Sequence, residues 1–167
     1  MTIITIGPGA TDRANSDSSA TYTEIDINNS ASASGYLNVM ELWYNTNATG
    51  VKFGTFLASS VNSYDDRDYE TLGSVASGSK KTFTGLNCDV VVGDWPGVYS
   101  ATGKIELDDS GSGYKYKSGD WFGQAVQIYS TNAEETLSMH ATGLSYKIYN
   151  VAPAKIYGVV PAKVFGV

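Results

Sequence analysis

One histidine and one cysteine, His140 and Cys88, are all that this chain offers to chemistry that depends on those side chains. His140 stands in Thr136-Leu-Ser-Met-His-Ala-Thr-Gly143, alternating with Met139 as a strand residue would. A Ser–His–Asp relay would have to pass through it, yet no G-x-S-x-G elbow or similar nucleophile setting occurs. The plainer reading is a surface or hydrogen-bonded strand histidine. A zinc site built from histidine and cysteine is excluded by number. Cys88 lies in the apolar run Leu86-Asn-Cys-Asp-Val-Val-Val92 and reads as a packing residue. The Gly-Ser-Gly of Asp108–Tyr114 lacks the lysine and the helix of a phosphate loop.

Carboxylates and aromatic rings offer more. Any two of the 17 acids could converge as a pair for glycosidic cleavage. Most of them, such as Asp12, Asp17, Asp65, Asp66, Asp68, Asp108 and Asp109, sit in stretches that read as solvated loops. Calcium wants six to eight hard oxygen ligands in flexible loops. Asp108 and Asp109 are weak candidates for it; neither their segment nor Tyr64–Glu70 follows the EF-hand order, and a polar turn is the alternative. Flat rings stack on sugar faces while neighbouring polar groups bond the hydroxyls. Trp95, Trp121, Tyr64, Arg67 and Tyr114 are therefore candidates for contact with glycans. The competing reading is that tyrosine suits strands and sheet edges.

The elements that must position these residues are short and alternating. With 18 glycines, 12 tyrosines and many Ser, Thr and Asn, the chain has the makeup of an all-β protein. Expected strands cover 2–6, 21–28, 36–45, 51–58, 80–86, 88–92, 95–100, 104–108, 114–117, 125–130 and 136–149. Gly7-Pro8-Gly9 should stop the first, and 46–50 should be a turn joining two paired strands. Leu37, Val39, Glu41 and Trp43 should share one face. No window carries a helical stripe. Strands every 8–12 residues predict an antiparallel two-sheet β-sandwich, of jelly-roll type, over 1–143. Two turns share the wording Gly93-Asp94-Trp95 and Gly119-Asp120-Trp121. Glycine supplies the positive φ there, and the Asp side chain can satisfy a backbone N–H. They read either as structural turns whose Trp caps the core or as an aromatic ligand platform.

The remaining 24 residues, 144–167, form a repeated tail. Lys147, Lys155 and Lys163 occupy one column of an octet; Ile148, Ile156 and Val164 the next; Tyr149, Tyr157 and Phe165 the one after. The tail holds three lysines and no acid, whereas residues 1–143 hold 8 basic and 17 acidic side chains, or −9. Such a body repels nucleic acid. Pro153 and Pro161 suit a strand start or a sheet edge. Short apolar strands are not stable alone, so the octets must lie on their own body as final hairpins or on another copy. The second option predicts a closed homo-oligomer such as a trimer, or a donated strand.

Four stretches carry a resemblance. They are Gly7-Pro-Gly-Ala-Thr-Asp-Arg-Ala-Asn15, Asn45-Thr-Asn-Ala-Thr-Gly-Val-Lys-Phe-Gly-Thr-Phe56, the V-x-x-G-D-W-x-G-V-Y of Val90–Tyr99, and the [PY]-[AY]-K-[IV]-[YF]-[GN]-V octets. Together the pattern resembles modules of uncharacterised bacteriophage and environmental viral proteins. The resemblance implies a β-sandwich appendage of a virion: a decoration, fibre or tail-associated protein, not an enzyme, with other virion proteins and cell-surface glycans as partners. No functional residue is carried over from it, and no cofactor is expected. Neither a secretory signal nor a run of about 18 apolar residues is present in the sequence, so neither export nor a membrane span is expected. Assembly in the host cytoplasm onto the virion surface fits that; an extracellular location is the alternative.

Overall fold

The computed structural model describes residues 2–17 and 20–146. They form strands and turns with no helix. The chain opens with β1 (Ile3–Gly9), β2 (Asn15–Ser16), β3 (Tyr22–Asp26) and β4 (Gly35–Leu42). Two long strands follow, β5 (Tyr44–Ala58) and β6 (Ser63–Val75), then β7 (Lys81–Val90), β8 (Trp95–Tyr99) and β9 (Thr102–Asp108). After these come β10 (Tyr114–Ser118), β11 (Gln127–Ile128), β12 (Ser130–Asn132), β13 (Thr136–Leu137) and β14 (Met139–Ser145).

The fold is all-β and its sheets are antiparallel and curled. One sheet of four strands runs β1-β14-β4-β7. The larger sheet runs β11-β6-β5-β8-β3-β10-β12, with β9 tying β5 to β2 and β13. β5 produces much of the curl. Its first half pairs with β9 through Tyr44, Thr46 and Thr49, its second with β8 from Lys52 to Phe56. Register shifts along it act as bulges, which bend a strand and raise its twist.

Both sheets contribute to one buried cluster. Ile4, Ile6, Leu37, Met40, Leu42 and Met139 come from the smaller sheet, and Val51, Phe53, Val98, Ile105 and Leu107 from the larger. Each fully buried aliphatic or aromatic side chain contributes about 1.5–3 kcal/mol, so this contact dominates stability. A second cluster holds Ile25, Phe56, Tyr64, Phe122 and Tyr129. Neighbouring strand residues divide between the two: Glu24 has Tyr116 and Val98 as cross-strand partners, while Ile25 belongs to the second cluster.

Several expectations about elements are corrected. β1 does not stop at Gly7 but bends through Gly7 and Gly9, both at positive φ, and a register shift separates Ile6 from Gly9. Residues 46–50 are not a turn; they lie inside β5, which pairs with β6, β8 and β9 instead of β4. The acid-rich Tyr64–Glu70 is strand, within β6. Residues 81–90 are one strand, not two. The buried side of β4 is Leu37, Met40 and Leu42, because a bulge after Leu37 shifts the alternation by one. β14 continues through Ser145, where Leu144 pairs with Ile3 and with Tyr36. The proposed assembly residues, Lys147, Ile148 and Tyr149 with their counterparts in the next two octets, lie outside the described residues.

Candidate functional site

A cavity of about 760 Å³ opens where β3, β10 and β12 meet the β2–β9 corner. Alternation along β3 sends Tyr22 and Glu24 into it, and along β10 Tyr114 and Tyr116. The turn after β12 adds Asn132, Glu134 and Glu135; the opposite wall is Ser16, Asp17, Leu107 and Asp109. Five of the lining residues are acids and none is lysine, arginine or histidine.

Glu24 is the buried centre of this group, at 5% exposure. Burial pushes its carboxyl well above the ordinary range, and the Asp17 carboxylate, which takes a hydrogen bond from it, and the charge of Glu135 push the same way. A hydrogen bond from the Tyr114 hydroxyl opposes them. That hydroxyl is itself raised, first by burial, then by the charges of Glu24, Asp17 and Glu135. Glu135 accepts from Asn132 Nδ2 at 2.6 Å, and Asp109 from Asn15 Nδ2 at 2.6 Å, so the carboxylates are held in place. Tyr116 stands at 5.9 Å from Tyr22 and 6.1 Å from Tyr114, ring centre to ring centre. The arrangement offers fixed hydrogen-bond acceptors beside a run of three rings. Chemically it can grip hydroxyls over an aromatic floor, or a cation that profits from both the charges and the ring faces.

Of the candidates drawn from sequence, only Tyr114 and Asp109 line this cavity. Trp95 and Trp121 pack against the second cluster instead. The Trp121 indole donates to the Ser118 carbonyl at 2.7 Å, and Lys117 Nζ lies 4.8 Å from the ring centre. Tyr64 was expected as an exposed ring; it is 5% exposed and edge-on to Tyr129, so its faces belong to packing. Arg67 is engaged by Asp94 through both Nε and Nη2, the latter at 3.0 Å. Asp108 accepts from Arg13 and from the Ala14 amide. Among the described residues no group of three or more His, Cys, Asp or Glu is arranged to hold a metal ion. His140 faces Glu41 across the β14–β4 ladder, its Nδ1 3.7 Å from the carboxylate. Cys88 is buried, and burial pushes its thiol far above the ordinary value.

Glu24, Asp17, Tyr22, Asn132, Glu134 and Glu135 were missed as site residues. One signal was available: Tyr22, Glu24 and Asp26 share a strand face that is polar and aromatic, opposite Thr23, Ile25 and Ile27. The rest come from segments more than 100 residues apart in the chain, such as Asp17 and Glu135, and only the fold joins them. The chain matches no protein-family model, no curated protein and no solved structure.

Proposed function

We propose that this chain is a non-enzymatic structural protein of a virion surface, a decoration, fibre or tail-associated component, that assembles through its C-terminal octets. The observation that carries the reading is the separation of charge. A lysine-bearing repeat without acids is joined to a −9 body with a cavity that gathers five acidic side chains and no base. Two antiparallel sheets sharing one buried cluster support the sandwich reading, of jelly-roll type, for the displayed body. Light scattering across a concentration series tests the assembly. The full chain forms a defined oligomer, and a chain ended after Tyr146, which spares β14, is monomeric. A full chain that stays monomeric at high concentration sinks the proposal.

A second reading, carbohydrate binding by the same body, is favoured by the run of Tyr22, Tyr114 and Tyr116 beside fixed acceptors. It predicts signals on a glycan array that Tyr116→Ala removes while the fold is kept. A blank array for the wild-type protein defeats it.

A further inference from the structure

We propose that the tyrosine- and carboxylate-lined cavity is the receptor for the Pro-Ala-Lys octets of a second copy of this chain, with Lys155 or Lys163 entering it. The inference rests on the assembly reading and gives it an address.

Charge is the first argument. Asp17 and Glu135 stand close enough to the buried Glu24 that their charges raise the cost of its ionisation. A cavity of like charges with no base in its lining is relieved by an ammonium group. Residues 144–167 hold three lysines and no acid, whereas the other acid-free stretches of the chain hold two lysines at most.

Ring chemistry is the second. An ammonium held over tyrosine faces gains a cation–π term, and it gains more where water is excluded. Among the described residues lysine already sits over aromatic rings, Lys52 over Tyr69 at 5.0 Å and Lys117 over Trp121 at 4.8 Å. In the octets each lysine is followed by an aliphatic and then an aromatic residue. These could cover the half-buried rings of Tyr22 and Tyr116.

Reach is the third. Described structure ends at Tyr146, whose hydroxyl donates to Asp89 at 2.8 Å and whose ring lies 6.4 Å from that of Tyr36. Twenty-one residues follow it. A fully extended chain of that length spans up to roughly 70 Å at about 3.3 Å per residue, enough to cross to a neighbouring body. Head-to-tail docking of this kind closes into a ring when the rotation allows.

A charge-swap cycle on the full chain tests the assignment, read by light scattering against concentration. Lys155→Glu with Lys163→Glu alters only the tail. Glu134→Lys with Glu135→Lys alters only the cavity rim, and circular dichroism checks that it folds. Each pair alone should raise the concentration for half-assembly by about tenfold or more, and the four together should restore it. Tyr116→Ala, which leaves the charges intact, should weaken assembly as well. Rim-swapped protein that assembles like wild type overturns the inference while leaving assembly through the tail intact. So does a four-fold variant that is no better than either pair. Loss of glycan-array signal in rim-swapped protein of unchanged assembly reassigns the cavity to sugars. A monomeric wild-type chain removes the inference together with the reading beneath it.

Discussion

At the scale of the residue, Glu24 is a buried acid whose neighbours are themselves acidic. Its carboxyl is buried beside Asp17 and under the influence of Glu135, and its folded-state pKa lies above the ordinary 4.5. A raised acid holds its proton more tightly folded than unfolded. The stability this contributes is complete below the unfolded value and is lost as pH rises through the folded one. Asp26 and Asp66, raised chiefly by burial, act in the same direction. Glu24→Gln cannot ionise, and its amide can still donate to Asp17. Thermal unfolding from about pH 4 to about pH 8 should therefore superimpose the two proteins at the acid end. At the alkaline end the variant should melt a few degrees higher. A variant that melts lower at pH 8 would mean that the ionised carboxylate is fully compensated in the fold.

At the scale of the element, packing around glycine decides how closely the strands can be decorated. Gly54 of β5 faces Gly97 of β8 across the ladder. A Cβ on Gly97 would lie 2.3 Å from the Phe56 ring, and one on Gly54 2.9 Å from Phe122. The missing side chains are what let those rings lie flat on the sheet. Gly97→Ala should cost about 1–3 kcal/mol by overpacking, seen as a lower melting temperature, about 2–4 °C per kcal/mol. Gly73, at φ +77° with open space around it, has only a backbone penalty, so Gly73→Ala should cost about 1 kcal/mol. A larger loss at Gly73 than at Gly97 would contradict this account.

The Arg67–Asp94 pair works between elements. It ties β6 to the turn before β8, where Asp94 also accepts from the Val91 amide at 2.8 Å. The Asp94 side chain is 4% exposed, so Arg67→Met leaves a buried charge with amide support alone. About 2 kcal/mol should be lost in denaturant unfolding, against less than about 1 kcal/mol for Lys52→Met at the more open Lys52–Asp120 pair.

These elements also explain what could be read in advance. The Gly-Asp-Trp turns were legible because their chemistry is local. Gly93 and Gly119 have positive φ, while Asp94 and Asp120 accept amides of their own turns, from Val91 and Phe122. The strand β6 was not. Its Asp65, Asp66, Arg67 and Asp68 look like loop residues, and it is a strand because β5 pairs along it from Ala48 to Ala58. The face of β4 was misjudged because a bulge has no signature in an alternating pattern. Tyr114 of the cavity was visible as a ring to explain; Glu24 was hidden because an acid alternating along a strand ordinarily faces water.

At the scale of the whole molecule, two forces could gather copies of this chain, and they respond to salt in opposite ways. Attraction between tail lysines and the acidic body is screened as the Debye length falls, from about 10 Å at 0.1 M to about 3 Å at 1 M. If Ile148, Ile156, Val164 and the aromatic column are buried against a neighbour, that contact should be strengthened by sulfate, which is excluded from protein surfaces. If the charge pairing sets the address, raising sodium chloride from about 0.05 M to about 0.5 M should increase the concentration for half-assembly several-fold. Ammonium sulfate at equal ionic strength should offset part of that loss. Lys155→Glu with Lys163→Glu should reverse the sign of the sodium chloride effect, because screening then relieves a repulsion from the −9 body. Analytical ultracentrifugation reads all three conditions on one scale. Assembly indifferent to sodium chloride in both proteins would leave the apolar columns as its only cause, and the octet lysines would then serve solubility and not recognition.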